Sequence, residues 1–142
     1  MQAALEQARL ALAAGEVPIG VVVVIDEAIV SMAYNQPIGR CDPTAHAEML
    51  AIREACRVQG SEQLDGADLY VTLEPCPMCA AAISFARIRR LYFGASDPKG
   101  GGVEHGPRIF SQPTCHHAPE IYGGIEEARA GALLRQFFAR RR

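Results

Sequence analysis

Five β-branched residues in succession, Val21-Val22-Val23-Val24-Ile25, constrain this chain more than any other feature. A run this short and wholly β-branched reads as a buried strand. Around it, strand-like and helix-like segments alternate, which indicates an α/β fold. Gln2 to Ala14 is rich in Ala and Leu and reads as a helix, with Gly15 suited to end it in a left-handed cap. Asp26-Glu27 turns the chain, and Ala28 to Tyr34 returns as a second strand, although the turn lacks the expected glycine. Asp42-Pro43-Thr44 opens a second helix that Gly60 ends, with Thr44 as its expected N-cap. Its apolar face is expected from Ala47, Leu50, Ala51, Ala55 and Val58. Leu69 to Leu73 reads as a third strand, Cys76 to Ala86 as a third helix with Pro77 in its first turn, and Leu91-Tyr92-Phe93 as a fourth strand. Residues 97–102 form a loop. Residues 103–120 carry scattered Pro and His and only a short apolar piece, Ile109-Phe110. Ile121-Tyr122 is expected as a fifth strand. Ile125 to Ala139 closes the chain as a helix packed through Ala130, Leu133, Leu134 and Phe137.

A chain of 142 residues suits one compact domain, 1–142, of the usual size of roughly 100–150 residues. With 49% apolar and 21% charged residues it has the balance of a globular protein, not of a disordered one. The longest apolar run is far short of the ~20 residues of a membrane helix, and no basic-then-apolar signal opens the chain. These features lead us to expect a cytoplasmic protein with no membrane partner. Five cysteines, two of them in Cys76-Pro77-Met78-Cys79, suggest metal or redox chemistry rather than a disulfide framework. The net charge of −2 divides unevenly, −6 in residues 1–71 and +4 in residues 72–142. A local basic patch for an anionic partner is compatible with this, and so is an ordinary solvated helix face.

Two segments carry the chemistry: Thr44-Ala45-His46-Ala47-Glu48 and Pro75-Cys76-Pro77-Met78-Cys79. Either alone is weak. A lone histidine near a helix start is usually a surface residue, and a lone C-x-x-C can be a redox pair. Together, His46, Cys76 and Cys79 supply one imidazole and two thiols, the ligand types zinc prefers. Three protein ligands leave a fourth position for water, as in catalytic zinc sites. Cys41, Cys56, Cys115, His105, His116 and His117 are further candidates, but none has motif spacing to the three. Glu48 is the group that would move protons. Residues i and i+2 of a continuing helix point apart, so Glu48 serves a site built on His46 only if both lie at the helix start.

The H-x-E and P-C-x-x-C pair is the signature of zinc-dependent nucleobase deaminases. The chain resembles, more narrowly, the bacterial tRNA-specific adenosine deaminases. The resemblance runs through Gly15-Glu16-Val17-Pro18-Ile19-Gly20, residues 42–48, residues 69–79, Phe93-Gly94-Ala95, Asp97-Pro98-Lys99-Gly100-Gly101 and residues 133–138. It implies a three-layer α/β/α cytidine-deaminase-like fold with a five-stranded mixed sheet, one Zn²⁺ per chain, and a homodimer. It also implies a reaction. Water attacks C6 of adenine with Glu48 as proton shuttle, ammonia leaves, and adenosine becomes inosine at the wobble position of a tRNA anticodon. By the same resemblance Asn35 and the backbone of Ala47 contact the inserted base, and Asp97 and Lys99 border the RNA. Arg140, Arg141 and Arg142 would lie along the anticodon stem.

The sequence also departs from that family. Cys115-His116 stands where many members have Asn-His, and Val103-Glu104-His105 replaces small residues. The nearest rival reading is a deaminase of a free base or nucleoside, of guanine or cytosine type, with the same zinc site. A zinc-stabilised RNA-binding protein leaves Glu48 idle, and a C-x-x-C oxidoreductase leaves His46 unexplained.

Overall fold

The computed structural model describes residues 1–141; Arg142, one of the expected RNA contacts, lies outside the described residues. Helix α1 (Gln2–Ala13) is followed by the hairpin β1 (Gly20–Ile25) and β2 (Ala28–Tyr34). A short helix α2 (Pro37–Arg40) precedes α3 (Ala47–Gln59). Strand β3 (Asp68–Leu73), α4 (Pro77–Phe85) and β4 (Arg90–Ala95) form a β-α-β unit. A 3₁₀ turn (Ile109–Ser111), β5 (Glu120–Tyr122) and α5 (Glu127–Ala139) complete the chain.

The five strands make one mixed sheet in the order β2-β1-β3-β4-β5. β1 runs antiparallel to both β2 and β3, while β3, β4 and β5 are parallel. The β-branched run therefore lies on an inner strand, paired on both sides, where Val21, Val22 and Val23 are all buried. The main core lies on the α3/α4 side, with Val21, Val23, Leu69, Val71, Leu91 and Phe93 meeting Ala51, Ile52, Ala80 and Ile83. On the other side α1 and α5 pack with each other and with the sheet, through a smaller cluster at Leu5, Ala95 and Ala130. This is the expected three-layer arrangement. Tyr70, Tyr92 and Tyr122 stand in register across β3, β4 and β5 and stack with centroids 4.5 and 5.1 Å apart.

Local chemistry explains the ends of several elements. Gly15 follows α1 with φ +77, and its neighbour's N–H returns to Ala11 O. The hairpin turn holds Asp26 and Glu27 both at positive φ, which is the backbone of a tight turn usually reserved for Asn and Gly. Two expectations need correction. Thr44 does not cap α3. Its hydroxyl donates to Asp42 Oδ1 at 2.7 Å and His46 occupies the N-cap, because Asp42 draws residues 42–46 into a turn of their own. Val58 is exposed, while Ile52, outside the expected face, is buried in the core. Residues 103–120 hold a 3₁₀ turn at Ile109–Ser111, one turn being too short for any periodicity to register.

Candidate active site

The strand directions decide where the site forms. β2 and β3 both run antiparallel to β1, so they are parallel to each other. The segments that leave β2, β3 and β4 at their C-terminal ends therefore emerge on one edge of the sheet. Asn35 follows β2, Glu74-Pro75-Cys76 follows β3, and Asp97 follows β4. Ligands of open α/β sheets gather at this edge.

Two helices start there as well. His46 is the N-cap of α3 and Cys76 the N-cap of α4, both in extended backbone. His46 is thus outside the helix while Glu48 is in its first turn, which removes the objection that i and i+2 diverge. His46 Nδ1 lies 3.5 Å from Cys76 Sγ and 3.5 Å from Cys79 Sγ. All three ligand atoms lie within 4.8 Å of one another. Ligands at about 2.3 Å (sulfur) and 2.05 Å (nitrogen) on a tetrahedral ion are roughly 3.5 Å apart, so the set fits zinc. The Cys76 thiol is pulled down to about 4, because hydrogen bonding from Cys79, aided by His46, outweighs burial. Cys79, as the donor in that pair and itself buried, is pushed far up. The hydrogen bond to Cys76 raises His46 against the effect of burial. A thiolate at Cys76 is the form a metal binds.

Glu48 lies buried beside this cluster. Burial pushes its carboxyl up to about 7, with the neighbouring Cys76 adding to the rise. Among the described residues its Oε1 is the buried side-chain oxygen without a hydrogen-bond partner. Such atoms are rare in folded proteins, and strain, a catalytic role or a bound water or ion accounts for them. A carboxyl that titrates near neutrality, with one oxygen free, can both accept and return a proton. Asn35 is buried, and its Oδ1 accepts the Ala47 N–H at 3.3 Å. That bond ties β2 to the start of α3. It engages the Ala47 N–H and uses only the oxygen of the Asn35 amide.

Asp97 and Lys99 line an open groove of about 1130 Å³ with Val17, Leu134, Arg135 and Phe138. Asp97 Oδ1 accepts the N–H groups of Lys99 and Gly100, so the carboxylate shapes its own loop. Arg140 is exposed. Arg141 turns back to the protein, donating to Gly15 O at 2.8 Å and lying 4.3 Å over the Phe137 ring. Cys115 lies 3.5 Å from Ser84 on α4 and donates to His117 O. Glu104 Oε1 lies at Gly123, beyond the end of β5.

Sequence reasoning missed two buried carboxylates. Glu16 accepts the N–H groups of Ile38 and Gly39, anchoring α2. Glu74 accepts five donors from residues 97–105, and these hold its carboxyl below the usual range in spite of burial. A single acid inside an otherwise apolar stretch, as in Glu16-Val17-Pro18-Ile19 and Leu73-Glu74-Pro75, was the available signal.

Comparison with known proteins fits this geometry. The cytidine and deoxycytidylate deaminase zinc-binding region matches residues 1–95. The chain belongs to this deaminase family. It is a zinc-dependent hydrolytic deaminase. Among its relatives in the family, the tRNA-specific adenosine deaminase of Agrobacterium fabrum is 59% identical over 142 residues, covering 100% of this chain and 93% of the relative. The tRNA-specific adenosine deaminase of Rickettsia typhi is 46% identical over 144 residues, covering 100% of this chain and 97% of the relative. A solved structure described as a tRNA:A34 deaminase of A-to-I wobble editing is 59% identical, with a TM-score of 0.93 over 94% of this chain and 97% of that one.

Proposed function

We propose that this chain, acting as one domain over 1–142, deaminates adenosine to inosine at the wobble position of a tRNA anticodon. The observation that carries the substrate is the extent of the likeness to the Agrobacterium deaminase. It continues through residues 96–142, which lie beyond the zinc-binding region and supply Asp97, Lys99 and Arg135 to the groove.

His46, Cys76 and Cys79 hold the zinc, which supplies Lewis acidity of the kind that brings water's pKa towards about 7. Glu48 takes a proton from the attacking water and delivers protons to the ring and to the departing amine. Water and an exocyclic amine become a ring carbonyl and ammonia, so the shuttle ends as it began. The Asn35 amide donates to the inserted base, which must be splayed from its loop. Lys99 and Arg140, with Asp97 at the groove's rim, meet the flanking RNA. The molecule works as a homodimer, for which exposed Ile38 (66%) and Phe85 (78%) offer apolar surface. Five free cysteines suit a cytoplasmic, reducing setting. No helix among the described residues is long and apolar enough to cross a membrane.

The test is inosine formation and ammonia release with the zinc-loaded protein. An anticodon stem-loop bearing adenosine is compared with free adenosine, cytidine and guanine. Turnover of the stem-loop alone is expected; turnover of a free base or nucleoside alone overturns the substrate. Glu48→Gln is expected to lose about 10²–10⁴ in kcat while keeping zinc and fold. Unchanged kcat sinks its role as shuttle.

A further inference from the structure

The Glu74 side chain is wholly inaccessible to solvent, and the catalytic steps do not use it. Its Oε1 accepts the Asp97 N–H at 2.9 Å and His105 Nδ1–H at 2.8 Å. Its Oε2 accepts the three successive N–H groups of Val103, Glu104 and His105 at 3.2, 3.0 and 3.2 Å. One carboxylate therefore holds both ends of loop 97–105. The loop wraps it so closely that a Cβ on Gly101 would collide with Oε2. Gly102 donates to Pro75 O at 2.8 Å, and a Cβ there would lie 2.6 Å from Pro77 N and 2.9 Å from the Cys76 carbonyl carbon. The loop backbone thus lies directly on the peptide that carries a zinc ligand. Its other end carries Asp97 and Lys99 into the groove.

We propose that Glu74 and His105 form a positioning pair, which locks the substrate-bordering loop onto the Pro75-Cys76-Pro77 peptide. The groove and the zinc ligand are then set relative to each other as one rigid piece. His105 is the member that can be varied cleanly. It is partly exposed, at 35%, and closes the cage from the solvent side. A carboxylate only accepts, so the His105 ring acts through its Nδ1–H donor. The proposal rests on the tRNA reading for its kinetic arm alone.

The experiment compares His105→Asn with His105→Leu in the zinc-loaded protein. The asparagine amide reproduces the donor, whereas leucine fills similar space and donates nothing. With the stem-loop, His105→Leu is expected to raise KM about 3–10-fold at nearly constant kcat and full zinc content, and His105→Asn to restore KM. Hydrogen exchange of the Val103, Glu104 and His105 amides is measured without substrate. It is expected to quicken at least tenfold in His105→Leu and to return towards the native rate in His105→Asn. Glu74→Gln is expected to exceed His105→Leu in both readouts; should it fail to fold, the His105 variants still decide. A wild-type protein inactive on the stem-loop refutes the substrate, while the exchange arm still judges the pair. Native exchange and native KM in His105→Leu overturn the proposal, as does equal impairment of the Asn and Leu variants.

Discussion

Asn35 illustrates how one side chain serves structure and chemistry with different atoms. Its oxygen is engaged by the Ala47 N–H, while its amide nitrogen is free. Asn35→Asp keeps the acceptor and deletes the donor. Stability is expected to fall by about 1–3 kcal/mol, since the substitution also buries a carboxylate, while kcat/KM on the stem-loop falls at least tenfold. Denaturant titration alongside steady-state kinetics checks both, and retained kcat/KM would reduce Asn35 to a brace for α3. Glu48 shows the opposite economy. Its unpaired Oε1 is a stability cost that the fold retains at the point where a proton must move. The grouping of His46, Cys76 and Cys79 was legible from residue type because metal chemistry admits few donors. Glu74 was not, since its role depends on five donors 23–31 residues away.

At the scale of elements, the closest approach is that of α1 to the first strand. A Cβ on Gly20 would collide with Ala4 O and lie 2.5 Å from Ala8 N. Both are backbone atoms of a helix and cannot step aside. Gly20→Ala is therefore expected to destabilise by about 1–3 kcal/mol or more, as overpacking does. A fall in the denaturation midpoint at unchanged m-value is the readout, and an unaltered midpoint would mean that α1 shifts freely. Because β1 pairs with both β2 and β3, activity is expected to decline with it. Long elements were legible: α1, β1, β2, β3, α4 and α5 fall within a few residues of their expected bounds. α2 escaped because four residues, one of them Pro37 and another Gly39, carry no periodicity. The start of α3 was placed too early because Asp42 competes for Thr44 with its own side chain.

At the scale of the whole molecule, a zinc ion held by His46, Cys76 and Cys79 would join the start of α3 to the start of α4, two helices packed on the same core. A ligand held only by the folded state stabilises it by mass action, about 4 kcal/mol at a thousandfold excess over its Kd. Removal of zinc with a chelator is therefore expected to lower Tm by several degrees, in a single transition that zinc alone restores. Scanning calorimetry of the loaded and chelated protein decides this. An unchanged Tm would mean that the three ligands hold no metal in the folded protein. Two separated transitions would contradict a single unit over 1–142.

Taken alone, the order of residues determined the alternation of strands and helices and singled out His46, Cys76 and Cys79 as a candidate metal-binding group, because helix periodicity, β-branching and donor chemistry are local properties. Only the tertiary structure decided which chain ends share an edge. Strand order β2-β1-β3-β4-β5 brings Asn35, Cys76 and Asp97 together across 62 positions of sequence. The cage around Glu74 and the retreat of Arg141 onto Gly15 likewise depend on partners distant in sequence, whereas the turn at Asp42 is a local contact with Thr44.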